Sequence, residues 1–186
     1  MIKQIIILLS LLLMASCSSL PEKHYYQLSS DFAGNQTTQS ANRKNVIYLE
    51  SVNVAAYLNK SGIVYQTGEV EYRTANHNLW LTPLQDQIEQ RVLQDLSLLL
   101  PDYIVTNKLI APRAFNVQLF IDAFHGYYQG EALIKGYWLI ENEQHQFITK
   151  SFDYTQRQSE DGYQALVKEL SKAWQEEIID FAKSLK

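Results

Sequence analysis

Two runs of apolar residues at helical spacing fix most of what this chain can become. Leu84, Ile88, Val92, Leu96 and Leu100 recur every four residues, with Leu93 and Leu99 widening the stripe. Leu166, Leu170, Ala173, Trp174, Ile178, Phe181 and Leu185 step by three or four. Such spacing gathers apolar side chains on one side of a helix, and that side must be covered by another apolar layer. Both starts are readable. Thr82-Pro83-Leu84-Gln85 offers a capping threonine, a proline suited to the first helical position and a capping-box glutamine. Asp161-Gly162-Tyr163-Gln164 repeats the spacing, and Pro101 stops the first helix.

The covering layer is predicted to be a sheet. Residues 25–28 read as a short strand and 46–54, rich in β-branched side chains, as a buried one. Residues 63–66 and 69–74 flank Thr67-Gly68 as a hairpin. Phe115, Val117, Leu119, Ile121 and Ala123 alternate along a further strand, and Ala132, Ile134, Trp138 and Ile140 along the next, across a turn at 126–130. Residues 147–157 form a more polar strand near an edge. Strands, helix, strands, helix indicate an α+β fold, with a largely antiparallel sheet and two amphipathic helices packed on one face. At 46 % hydrophobic residues the chain is globular in composition. With 16 Lys+Arg against 20 Asp+Glu, its net charge of −4 argues against nucleic acid as a partner.

The only cysteine, Cys17, can make neither an intrachain disulfide nor a cysteine-rich metal site. It follows the layout of an export signal: a positive charge at Lys3, an apolar stretch over residues 5–14 broken by Ser10, then Ala15 and Ser16. About ten apolar residues are too few to cross a hydrocarbon core, which takes roughly 17–25 in a helix. Met14-Ala15-Ser16-Cys17 resembles the lipobox of bacterial lipoproteins. That resemblance implies that residues 1–16 are a signal peptide and that Cys17 becomes the acylated first residue. Ser18, where an aspartate would retain the protein, implies delivery to the outer membrane. Acylation on both sulfur and amine supplies the two membrane signals that stable anchoring needs. Residues 17–24 are then a lipidated tether, of which 18–24 reach about 25 Å at most. Residues 25–186 are a single periplasmic domain with a mobile polar loop at 29–45.

Signs of catalysis are few. His24, His77, His125 and His145 are scattered, each in a predicted turn or loop, without the spacing of a zinc site. No glycine pattern matches a dinucleotide loop, a P-loop or a nucleophile elbow. Glu69 and Glu71 alternate with Val70 and Tyr72 beside Arg73, as a solvated strand face does. Asp122, a carboxylate on an otherwise apolar strand, calls for a structural partner. The expectation is therefore no catalytic residue, no metal and no cofactor. Twelve tyrosines, seven phenylalanines and three tryptophans are the more telling feature. Tyrosine suits a surface dry at one end and wet at the other, and a protein-contact surface would centre on Tyr57, Leu58 and Ile63.

Tyr25-Tyr26-Gln27-Leu28 soon after the cysteine, Val52-Asn53-Val54 followed by Tyr57-Leu58, Gly62-Ile63-Val64-Tyr65, and Trp80 with Pro83-Leu84 come in a shared order. Together they resemble the ABC-type transport auxiliary lipoproteins over nearly the whole chain after Cys17. The resemblance implies a non-catalytic, outer-membrane-anchored accessory of an envelope-spanning lipid transport system. Its partner would be the tube made by a mammalian-cell-entry (MCE) domain protein, met through Tyr57, Leu58, Ile63 and Tyr65, and self-association stays open. Two rivals are an assembly lipoprotein of another envelope complex, for secretion or outer-membrane assembly, and a periplasmic hydrolase.

Overall fold

The computed structural model of the chain describes residues 21–32 and 45–185. Cys17, the predicted signal peptide, residues 17–20 of the expected tether and residues 33–44 of the expected loop lie outside them. The described elements are β1 (His24–Tyr26), β2 (Asn45–Val54), β3 (Gly62–Gln66), β4 (Tyr72–Trp80), α1 (Leu84–Leu99), β5 (Tyr103–Thr106), β6 (Phe115–Tyr127), β7 (Glu131–Asn142), β8 (Phe147–Arg157) and α2 (Tyr163–Ser184).

The fold is α+β, but the sheet is mixed where a largely antiparallel one was expected. Its eight strands include antiparallel ladders β3–β4, β6–β7 and β7–β8, and parallel pairings β1–β4, β2–β5, β2–β6 and β3–β6. The long connections explain the difference. Parallel neighbours need a crossover of a dozen or more residues, and the stretch from β2 through the β3–β4 hairpin and α1 supplies one. It returns the chain beside β2, so β5 and then β6 run in the direction of β2. β6 is the spine: β2 lies along its first half, β3 meets it at Gly126, and β7 takes its other edge.

Register shows which side is the core. Val52, Leu119 and Trp138 stand in one cross-strand row, and Leu49, Val117 and Ile140 in the next. These side chains face α1 and α2 and are buried with the helical stripes in one cluster. Trp138 stacks on Phe181 at 3.8 Å and lies 6.2 Å from Trp174, whose ring Phe124 and Phe152 meet edge-on. Burying a large aromatic or aliphatic side chain contributes roughly 1.5–3 kcal/mol, so this sheet–helix seam dominates the core. Gly136 belongs to it: a Cβ there would come 2.0 Å from the Phe120 carbonyl oxygen and 2.9 Å from the Phe152 ring.

The helix starts differ from the expected boxes. Neither Thr82 nor Asp161 caps through its side chain. Instead the Gln87 amide donates to the Thr82 carbonyl at 2.8 Å, while its oxygen accepts the Leu28 N–H at 2.9 Å. One side chain thus closes the first turn of α1 and fastens the chain leaving β1. Gly162 precedes α2 at φ 104°, a backbone that side-chain-bearing residues rarely adopt. Residues 29–32, assigned to the expected loop, run onto α2: Ser29 N–H donates to Ser171 Oγ at 3.1 Å and Asp31 N–H to Gln175 Oε1 at 3.3 Å.

Candidate functional site

The sheet face opposite the helices carries the surface of interest, and a bulge builds it. The ladder between β6 and β7 skips a residue between Ile121 and Ala123. Alternation therefore changes phase within β6, putting Phe124 toward the helices and His125 on the open face. The displaced backbone is capped by the turn after β2, where Ala55 N–H donates to the Ile121 carbonyl at 2.9 Å and Tyr57 Oη–H to the Asp122 carbonyl at 2.8 Å. Leu58 turns back into the core in the same turn, which leaves Tyr57 facing outward.

Tyr57, Tyr72 and His125 form an aromatic cluster on this face. Tyr57 meets Tyr72 at 5.2 Å and His125 at 6.0 Å, and Tyr72 meets His125 at 5.4 Å and 89°. Such edge contacts contribute about 0.5–1.5 kcal/mol each beyond burial. His125 is the floor, only 1 % exposed, while Tyr57 and Tyr72 keep 37 % and 45 % of their surface open. The His125 Nδ1–H donates to the Gly126 carbonyl at 2.9 Å. Burial, partly offset by that bond, pushes the imidazole pKa down, so the ring is neutral at pH 7. Burial first, then Tyr72 and Asp122, raise the Tyr57 phenol well above its ordinary value. The cluster offers flat ring surface with a fixed hydroxyl over a neutral imidazole. That is the chemistry of a contact patch.

The structure separates the four residues expected at a partner surface. Tyr57 stands on the open face. Leu58 and Ile63, at 1 % and 0 % exposure, belong to the core, because the turn and the short buried strand β3 direct them inward. Tyr65 is on the helix side, where its ring occupies the space a Cβ on Gly126 would take, 2.3 Å from Cδ2. It lines a cavity of about 250 Å³ with Gly130, Asp161, Tyr163 and Leu166. Tyr72 and His125 complete the patch in place of Leu58, Ile63 and Tyr65, and Asp122 was the visible sign of His125: a lone carboxylate in an apolar strand marks the bulge that aims it.

The histidines are also placed differently from expectation. His24, His77 and His125 lie on β1, β4 and β6, and only His145 sits in a turn, at φ 59°, with its Nδ1 2.7 Å from Glu141. Among the described residues no three His, Cys, Asp or Glu side chains gather as metal ligands would. Glu177 is the nearest approach to an acid–base group. Its 1 %-exposed carboxyl accepts the Trp138 indole N–H at 2.7 Å, and burial pushes its pKa to about 7 against the pull of Trp138, Lys150 and Tyr154. The bond to Trp138 explains it as a tie between α2 and β7. No described helix is long and apolar enough to cross a membrane.

Residues 26–179 match the family described as ABC-type transport auxiliary lipoprotein component. Over 185 residues, 99 % of this chain, the sequence is 34 % identical to intermembrane transport lipoprotein PqiC of Escherichia coli (strain K12), covering 98 % of that protein. The same figures hold for PqiC of Shigella flexneri. The crystal structure of an uncharacterized protein superposes with a TM-score of 0.78 at 31 % identity, over 89 % of this chain and 100 % of the other. A Xanthomonas campestris protein superposes with a TM-score of 0.68 at 12 % identity, over 87 % and 95 % of the two chains, which is a likeness of fold alone.

Proposed function

The chain belongs to the ABC-type transport auxiliary lipoprotein family, and from that premise we propose that it is a non-catalytic accessory of lipid transport between membranes. It is held at the outer membrane by an acylated Cys17, faces the periplasm, and docks the far end of an MCE-domain transport tube. Likeness over nearly the full length to proteins named intermembrane transport lipoproteins carries this reading. The Tyr57–Tyr72–His125 cluster supports it, since exposed tyrosines over a rigid floor are the usual anchors of protein contacts. In this reading Tyr57 touches the partner, Leu58 and Ile63 hold its turn from beneath, and Tyr65 shapes the neighbouring helix start. Anchoring raises the concentration of the docking surface where the tube ends.

Affinity purification of the acylated protein from detergent-solubilised envelopes tests the proposal. The wild type should bring down an MCE-domain protein, and Tyr57→Ala with Tyr72→Ala should lose most of it while staying folded at the assay temperature, its thermal midpoint lowered only by the loss of ring contacts worth a few kcal/mol. Recovery of an outer-membrane β-barrel or a secretion component in its place would assign the chain to another assembly.

A further inference from the structure

Three connections gather at one end of the sheet. β3, β6 and β8 all run toward it, so the β3–β4 turn at 67–71, the β6–β7 turn at 128–130 and the β8–α2 link at 158–162 lie together. Gln158 N–H donates to the Gly130 carbonyl at 2.9 Å, and the charge of Glu69 is felt at the Tyr127 phenol, whose first influence is its hydrogen bond with Tyr128. Val70 crowns this end at 91 % exposure, the highest of the large hydrophobics among the described residues. Tyr127 and Tyr128 stand beside it with ring centres 4.5 Å apart. A valine on the outermost turn makes no core contact that explains it.

The opposite end is apolar too, with Leu109 at 70 % and Phe147 at 66 % exposure, so exposure alone does not choose between them. The direction of the chain does. β1 is parallel to β4, with His24 opposite Asn78, and β4 runs away from the 67–71 turn. Residues 21–23 therefore lead into β1 from the side of the Val70 end. Cys17 precedes His24 by as many residues as Glu71 precedes Asn78. A lead of that length spans about 25 Å at most, which matches the run of β4 back to its turn.

We propose that the Val70 end rests on the bilayer to which Cys17 is attached, with Val70 in the interfacial layer and Tyr127 and Tyr128 at headgroup level. The proposal builds on the lipid-anchored reading above. Tyrosine, with an apolar ring and a polar tip, is enriched at that depth. The carboxylates around the turn, Glu69, Glu71 and Glu131, outnumber Arg73 and Arg157 there, which suits zwitterionic headgroups better than anionic ones. The exposed faces of Tyr57 and Tyr72 then stand beside the membrane rather than in it, open to a protein arriving from the periplasm.

The cysteine economy of the chain makes the test direct. With Cys17 acylated, Val70→Cys or Leu109→Cys gives a single reactive thiol for an environment-sensitive NBD dye. Each labelled, acylated protein is placed in vesicles of equal parts phosphatidylcholine and phosphatidylethanolamine, with spin-labelled headgroups as quencher, and floated. The dye at position 70 should shift to the blue and be quenched several-fold more than the dye at 109. Equal quenching at both positions, stronger quenching at 109, or none at either in protein that floats overturns the orientation and leaves the anchor standing. Protein that fails to float with the vesicles overturns both.

Discussion

Replacing Glu177 by glutamine should change how stability depends on pH. The native carboxyl is buried between Trp138, Tyr154 and Phe181-bearing α2, with Lys150 and Asp180 as the nearest charges. Burial holds its pKa near 7 against an ordinary value of 4.5. Below pH 4.5 both folded and unfolded chains carry the proton, and the group has no effect on the balance. Between 4.5 and 7 the native state keeps a proton the unfolded state has released, so stability falls as pH rises. Above 7 the loss is complete, and from the size of the displacement it amounts to roughly 3 kcal/mol as an upper figure. For a domain of this size that corresponds to about 6–12 °C in thermal midpoint. Glu177→Gln keeps an oxygen for the Trp138 indole and removes the charge. Urea unfolding followed by tryptophan fluorescence at pH 5 and pH 8 should show the variant gaining on the wild type as pH rises. Asp95, whose pKa burial also raises against the pull of Arg91, contributes in the same sense in both proteins, so the difference between them is the quantity to read. An unchanged difference at the two pH values would refute the assignment of a strained charge to Glu177.

Gly136→Ala forces a methyl group against the Phe120 backbone; it should cost about 1–3 kcal/mol in urea unfolding, and an unshifted midpoint would mean that the close approach is absent. Ile63→Asp buries a charge at a position with 0 % exposure. It should lose more than about 4 kcal/mol, and a normally folded variant deficient only in partner capture would place Ile63 at the surface. Cys17→Ala should move the protein from the membrane to the soluble fraction with its thermal midpoint unchanged, and retention in the membrane fraction would rule out lipid anchoring.

The helices were legible because their apolar stripes depend only on local spacing; α1 and α2 bury the residues the periodicity picks out, with Leu93 and Leu99 partly buried at the margin of the first stripe. Ala132, Ile134, Trp138 and Ile140 were equally plain, for β7 pairs with β8 without a break in register and one of its faces is dry. β5 was not read. It is four half-buried residues long and owes its existence to pairing with β2. β4 was cut short at Thr74, because the Thr74–Leu79 stretch, polar and half-exposed, is strand through its pairing to β1 and β3. Parallel pairing has no local mark, so the mixed sheet could not be seen. Of the contact patch, Tyr57 was found from its residue type and position. Tyr72, at the start of β4, was read only as part of a solvated strand face, and His125 was missed because the bulge at Asp122 reverses which alternate residues of β6 face the helices.

The spine position of β6 has a consequence under the proposed export of the chain, amino end first. β2 can rest one edge only against Phe115–Ile121, and β3 meets the same strand at Gly126. More than sixty residues of later sequence must therefore arrive before the early strands have their central neighbour. Contacts so distant along the chain form slowly, and until they do β2 and β3 present bare edges that invite aggregation. On the proposed route to the outer membrane, a passenger of this topology would stay open to such pairing until its last strands arrive.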